Sequence, residues 1–307
     1  VLMITHKFRE VEAFASHVSV LRRGAYVGGG KVADLDRAEM TRLMIGEGDI
    51  VPIAKRTGAK GAPVLQLANI KAVDRSGFQS IRIDSLSVHA GEITGIAGIS
   101  GNGQFELVEL LTGQRQKESG EMWVQGEALM GDRDQEYRLN IKIIPEEPLK
   151  NACAPDMSVQ DNLAFRNFDR DKSGRGRFTL NGGAIAANAA DLIKAFKIKT
   201  SSPDIPISSL SGGNIQRAVL ARELSGDVDL LIVANPCFGL DISAVAQIRS
   251  RLIAARNKGT AILLLSEDLD EILELSDRIC VMSEGALVYE TAAIEADIAT
   301  IGAHMAG

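Results

Sequence analysis

Apolar residues along this chain fall into two rhythms. Near-continuous apolar runs of strand length occur at VLQLANI (64–70), IRIDSLSV (81–88), EITGIAG (92–98), DLLIVA (229–234) and AILLLS (261–266). Between them, apolar side chains return every three or four positions in ELVELLTG (106–113), SVQDNLAF (158–165), AIAANAADLIKAFKI (184–198), the stretch from Asn214 to Leu224 and 242–257, which predicts helices. Strands that are apolar throughout, separated by helices, imply an α/β fold whose core sheet is mostly parallel and covered on both faces. The stretch at about 150–208 predicts a helical subdomain inserted into that sheet, with SGRGRF (173–178) as loop.

A second regularity is longer. ITHKFREVEAFASHVSVLRRGAYV (4–27) aligns without gaps on LSEDLDEILELSDRICVMSEGALV (265–288), an offset of 265 − 4 = 261 residues. Glu10 falls on Glu271, Val20 on Val281, Gly24 on Gly285 and Val27 on Val288, and Gly46 is carried onto Gly307. Both copies read as strand end, polar turn, short helix, strand, glycine turn, strand. Residues 1–46 therefore read as the end of one copy of a unit, and 64–307 as a whole second copy. The intervening 47–63, rich in Gly, Pro and Lys without periodicity, reads as a linker. The chain begins at Val1, so a fragment of a longer protein is expected.

Composition narrows the class. With 307 residues, 45% hydrophobic and 24% charged, the chain has the balance of an ordinary globular protein. A net charge of −6 speaks against a nucleic-acid binder that covers phosphate with basic side chains. Three scattered cysteines, Cys153, Cys237 and Cys280, suggest a reducing compartment without a disulfide frame or zinc site. The longest apolar runs are too short to span a bilayer.

The chemistry gathers around GISGNGQFEL (98–107). A phosphate loop reads G-x-x-x-x-G-K-[ST]. Gly98 and Gly103 keep the spacing and enclose Ser100, Gly101 and Asn102, but Gln104 stands at the lysine position and Phe105 at the hydroxyl position. Downstream come LSGGNIQR (210–217), LLIVANPCFGLD (230–241) and LLLSEDLDE (263–271). In this order and spacing the motifs resemble the ATP-binding cassette of ABC transporters, whose signature is LSGGxxQ. The degenerate loop and the ending SEDLDEILELSDRI look most like the second cassette of fused sugar- and nucleoside-importer ATPases, in which two cassettes share a chain.

The resemblance implies a P-loop NTPase-like cassette with a mostly parallel core sheet, antiparallel N-terminal strands and the inserted helical subdomain. It also implies a head-to-tail sandwich of two cassettes, in which the phosphate loop and Mg²⁺ ligands of one face the signature of the other across ATP. On that alignment the second cassette has lost its own catalytic half. Replacing lysine by Gln104 removes a charge-assisted contact worth roughly 1.5–3 kcal/mol. The family's Asp-Glu pair at the end of the buried strand reads Ala234-Asn235, and losing a general base costs on the order of 10²–10⁴ in rate. The switch histidine aligns with Glu267 and the Q-loop glutamine with Glu146. What the cassette would lend a partner is kept: Ser211, Gly212, Gly213, Asn214 and Gln216 of the signature, and Asp241 of the D-loop. In the first copy His6 stands at the switch-histidine position, as the catalytic residue of a site completed by segments before Val1. Phe78 is the candidate for stacking on adenine.

The expected function is that of an energy-coupling, ATP-binding subunit on the cytoplasmic face of a bacterial membrane, working with transmembrane permease subunits and indirectly a solute-binding protein, without nucleic acid. Mg²⁺ is expected only at the composite site. The competing readings are a catalytically inactive regulatory cassette and a soluble ABC protein of translation or DNA repair.

Overall fold

The computed structural model of the chain describes residues 1–5, 8–22, 24–45, 54–73, 80–169 and 179–306. It opens with helix α1 (Phe8–Phe14), strands β1 (His17–Arg22) and β2 (Ala25–Lys31), and helix α2 (Arg37–Ile45). Long antiparallel strands β3 (Pro63–Val73) and β4 (Ser80–His89) follow, then β5 (Ile93–Ala97), which runs through a glycine loop into α3 (Gln104–Leu111). Next come β6 (Ser119–Val124), β7 (Glu127–Ala128), α4 (Arg133–Arg138) and β8 (Ile141–Ile144). Helices α5 (Pro148–Asn151), α6 (Val159–Ala164), α7 (Gly182–Phe196) and α8 (Gly212–Glu223) lead to β9 (Leu230–Ala234), α9 (Ile242–Asn257) and β10 (Ala261–Ser266). The chain closes with α10 (Leu269–Leu275), β11 (Arg278–Ser283), β12 (Ala286–Ala292) and α11 (Ile298–Ala306).

The main sheet runs β7-β6-β3-β4-β12-β11-β5-β10-β9-β8. Its half from β11 to β8 is parallel, and β3, β4, β6 and β7 form an antiparallel wing. Every residue of β5, β9 and β10 is buried, as strands covered on both faces must be. Their side chains alternate between two cores. Ile93, Leu231, Val233, Ile262 and Leu264 join α6 to α9 on one face, whereas Ile96, Leu230, Ile232, Leu263 and Leu265 join α3 and the wing on the other.

The strands and helices expected from apolar rhythm are present, with ends displaced by at most three residues. The rhythm did not anticipate β6, β7, α4, β8 and α5. These are short, and α4 (RDQEYR) is polar on every turn. SGRGRF, Phe78 and residues 47–53 of the expected linker lie outside the described residues. Residues 54–62 carry no helix or strand but are laid against the body. Thr57 N–H donates to Asn257 Oδ1 (2.9 Å), Asn257 Nδ2 donates to Lys55 O (2.8 Å), and Lys60 pairs with Glu92 (3.0 Å).

The 261-residue repeat reappears in three dimensions. α1, β1, β2 and α2 begin and end 261 positions before α10, β11, β12 and α11. Both hairpins carry an irregularity at the same place, Val20/Leu21 and Val281/Met282, and both turn at a positive-φ glycine, Gly24 (+82°) and Gly285 (+78°). Even a side-chain bond recurs: Thr5 Oγ1 donates to Glu10 (2.5 Å) as Ser266 Oγ does to Glu271 (2.7 Å). Their surroundings differ. β11 and β12 lie inside the main sheet, but β1 and β2 form a separate two-stranded sheet.

Candidate nucleotide site

At the C-terminal ends of β5, β8, β9 and β10 the sheet opens into a cavity of about 350 Å³. This is where ligands of open α/β sheets gather, because loops leave the strands there and helices begin. Ser100, Gly101, Gln104, Glu146, Ala234, Asn235 and Glu267 all line it. Positions scattered over 168 residues of sequence, from 100 to 267, are thus brought around one cavity.

The glycine loop is held from behind. Asn102 O accepts from Gly285 N–H (2.9 Å), its Oδ1 accepts from Glu284 N–H (3.3 Å), and its Nδ2 donates to Met305 O (3.3 Å). Gly103 has φ +107°, and a Cβ there would come within 3.0 Å of Gly285 Cα, so glycine is required both by the backbone and by the turn behind it. The loop is also filled from within. Gln104 Nε2 turns back to donate to Ile99 O (3.2 Å), and a Cβ on Gly98 would lie 2.2 Å from that amide nitrogen. Phe105, at the expected hydroxyl position, is 51% exposed.

Across the cavity three of the other four altered positions are joined. Asn235 Nδ2 donates to Glu146 Oε2 (2.8 Å), and Asn235 Oδ1 accepts from Glu267 N–H (3.0 Å). The residues here do not fit a Mg²⁺–polyphosphate. The lysine and the metal-binding hydroxyl are absent, the Asp-Glu position reads Ala-Asn, and two carboxylates, Glu146 and Glu267, face the space a polyanion would fill. No cluster of three or more His, Cys, Asp or Glu suited to a metal occurs among the described residues.

The far end of the cavity was not legible as a site. Arg166 pairs with Glu136 (3.2 Å) and Glu223 (2.9 Å), and Arg222 pairs with Glu223 (2.7 Å) and donates to Ala152 O (2.8 Å). Burial raises the Glu136 carboxyl above its usual value and lowers that of the Lys142 ammonium. The one available signal was the pair Arg222-Glu223 directly after the apolar run Ala218–Ala221. All three thiols are pushed up by burial, Cys153 to about 11 and Cys280 to about 12, so none is a nucleophile near neutral pH.

The signature stretch stands elsewhere: none of Ser211, Gly212, Gly213, Asn214 or Gln216 lines the cavity. Ser211 is the N-cap residue of α8 but makes no side-chain cap bond; instead its Oγ accepts from Asn214 Nδ2 (2.9 Å). Asn214 Oδ1 accepts from Lys199 N–H (2.9 Å), pinning the turn to the segment after α7. Asn214 and Gln216 point inward and are buried, whereas Ser211 and Gly212 are exposed. A Cβ on Gly212 would meet nothing within 4 Å. Asp241 caps α9 by accepting from Ala244 N–H (2.9 Å), so it has a structural task whatever else it does. His6 lies outside the described residues.

Known proteins bear on this arrangement. The ABC transporter family model matches residues 81–237, just over half of the chain. The glucose import ATP-binding protein TsgD13 of Haloferax volcanii is 40% identical over 310 aligned residues, covering all of this chain and 56% of that protein. The nucleoside import ATP-binding protein NupA of Lactococcus lactis is 34% identical over 94% of this chain and 57% of its own length. The chain therefore spans little more than half the length of these relatives. A nucleotide-free ATP-binding cassette from an ABC transporter shares the fold, with a TM-score of 0.63 at 20% identity over 75% of this chain and 92% of that one. The chain belongs to the ABC transporter family and has its ATP-binding cassette fold.

Proposed function

We propose that this chain is the end of one ATP-binding cassette followed by a complete but catalytically degenerate second one, from the energy-coupling subunit of an importer for simple sugars or nucleosides. The observation that carries the proposal is the contrast between two ends of the cassette. The chain's own phosphate loop is filled by Gln104 and faced by Glu146 and Glu267. Ser211 and Gly212 are exposed, and no contact among the described residues requires a glycine at 212.

On this reading the first turn of α8 serves a γ-phosphate held by the other cassette. A helix N-terminus with free N–H groups suits an anion, and Gly212 lets it approach. Asn214 and Gln216 shape the turn from inside. The opposing cassette would supply lysine, Mg²⁺ ligands and a catalytic glutamate, with His6 as its switch histidine. ATP and Mg²⁺ belong to that composite site. The relatives named as import proteins and the match between residues 1–45 and 262–306 support the reading, and the import names weigh against a role in translation or DNA repair. Permease subunits, and through them a solute-binding protein, are the proposed partners, which places the protein peripherally on the cytoplasmic side of a membrane. Among the described residues no helix is long and apolar enough to cross one.

Two measurements test this. Equilibrium dialysis should give the purified chain millimolar or weaker affinity for Mg-ATP, and it should not hydrolyse ATP; tight Mg²⁺-dependent binding or robust turnover sinks the proposal. An antibody to the chain should detect a native protein well above 32.8 kDa in the source cell. A native mass equal to the chain's would favour the regulatory cassette instead.

A further inference from the structure

Asn235 uses both ends of its amide, and both bonds cross between elements. Its Nδ2 donates to Glu146 Oε2 (2.8 Å) in the link from β8 to α5, and its Oδ1 accepts from Glu267 N–H (3.0 Å) just past β10. Its backbone sits at φ +43°, a conformation asparagine tolerates better than most residues, with its own N–H donated to Leu265 O (2.8 Å). The Glu146 end is secured a second time, because Asn151 Nδ2 of α5 donates to Glu146 O (2.8 Å). From there the connection runs on into α8, where Arg222 donates to Ala152 O (2.8 Å), the residue that ends α5.

The two identities depend on each other. With a glutamate at 146, position 235 must donate toward it while accepting from Glu267 N–H, and an amide does both. An aspartate at 235 would put two carboxylates about 3 Å apart, which cannot both stay ionised without penalty. Asn235 therefore does more than lack a base. We infer that Asn235 and Glu146 form a nucleotide-independent latch that holds the β8–α5 link to the ends of β9 and β10. They are positioning residues for α8, whose first turn is Ser211–Gly213. The latch needs neither ATP nor a second cassette, so its test is independent of the function proposed above.

Hydrogen exchange on this chain reads the latch at Lys150, Asn151 and Ala152, whose N–H groups close α5 onto Glu147 O and Pro148 O. In Asn235→Asp these amides should exchange roughly tenfold to a hundredfold faster, the range expected for losing a hydrogen bond to a charged group. Glu146→Gln alone keeps an acceptor and should exchange like the wild type. The double variant Asn235→Asp with Glu146→Gln lets the new amide donate to the new carboxylate, while Glu267 N–H keeps its acceptor. It should return to within about twofold of the wild type. Millimolar Mg-ATP should leave wild-type exchange at these amides unchanged. Unaltered exchange in Asn235→Asp, no rescue in the double variant, or a response to Mg-ATP would each overturn the inference. Should Asn235→Asp not fold, Glu146→Ala removes the acceptor without touching position 235. It should loosen α5 where Glu146→Gln does not, and equal exchange in those two would overturn the inference as well.

Discussion

Residues 8–45 and 269–306 carry the same local structure in opposite circumstances. Val32 N–H bonds Ser16 O as Ala293 N–H bonds Asp277 O; Met40 N–H bonds Asp36 O as Ile301 N–H bonds Asp297 O. The buried anchor of the last helix is also kept, Met40 in one copy and Ile301 in the other. Yet Leu21 is 69% exposed, while Met282, its counterpart, is fully buried. Backbone geometry here follows from the chain within about forty residues. Burial follows from whether β5 and β4 lie alongside.

The largest test of that contrast is at the start of each hairpin. Arg278 donates to Glu92 (3.0 Å), Thr94 Oγ1 (3.1 Å) and Ser87 O, tying β11 to β4 and β5. Its counterpart His17 is exposed and meets only Ser16 Oγ among the described contacts (3.4 Å). Removing one partner of a buried ion pair costs about 3–5 kcal/mol. Arg278→Ala should fall at the lower end, because Lys60 and His89 still face Glu92. His17→Ala should change urea-unfolding midpoints little.

The sign of the pH dependence follows from Glu92. Burial pushes its carboxyl up, but Arg278 and Lys60 outweigh that and hold it below the usual range. The stability it contributes is therefore present above the unfolded value, about 4.3, and is lost as pH falls through the lowered folded one. The gap between wild type and Arg278→Ala should be wide at neutral pH and narrow below about pH 4.

Next in size is the pair Met282 and Leu21. Truncating a buried methionine costs about 2–5 kcal/mol, the spread reflecting how far the cavity collapses. Met282→Ala should lie in that range. Leu21→Ala, losing a side chain that water already reaches, should stay within about 0.5 kcal/mol. Equal losses would mean that β1 is covered in solution, contrary to the exposure of Leu21 in the structure.

How much of this was legible in advance depended on the range of the cause. The repeat was visible because identical local patterns, such as a glycine between two apolar runs, need only local matching. The buried strands β5, β9 and β10 were visible because full burial leaves unbroken apolar runs. The site motifs were visible as departures from a known pattern at fixed positions. What escaped was set by tertiary neighbours. β8 is four residues long, α4 is polar throughout, and the ion cluster of Arg166, Arg222, Glu136 and Glu223 joins segments far apart in the chain. The bond between Asn235 and Glu146 spans 89 residues, and its two members were legible only as separate losses.

The smallest expected difference lies at the glycine turns. Gly24 and Gly285 hold φ of +82° and +78°, where a Cβ crowds the following carbonyl at a cost of roughly 1–2 kcal/mol. A Cβ on Gly24 would meet nothing within 4 Å, so that backbone cost is the whole of the expected effect there. At 285 the turn lies close to the glycine loop, since a Cβ on Gly103 would come within 3.0 Å of Gly285 Cα. Gly24→Ala and Gly285→Ala should thus loosen their hairpins by similar amounts, read as hydrogen exchange in β1–β2 and β11–β12. Similar losses would show the turn to be a local device, indifferent to the sheet around it. A much larger loss at 285 would mean that this turn also braces the glycine loop, since Gly285 N–H bonds Asn102 O (2.9 Å) and Glu284 N–H bonds Asn102 Oδ1 (3.3 Å). The second hairpin would then hold the site as well as the sheet, a duty that β1–β2 has no loop beside it to perform among the described residues.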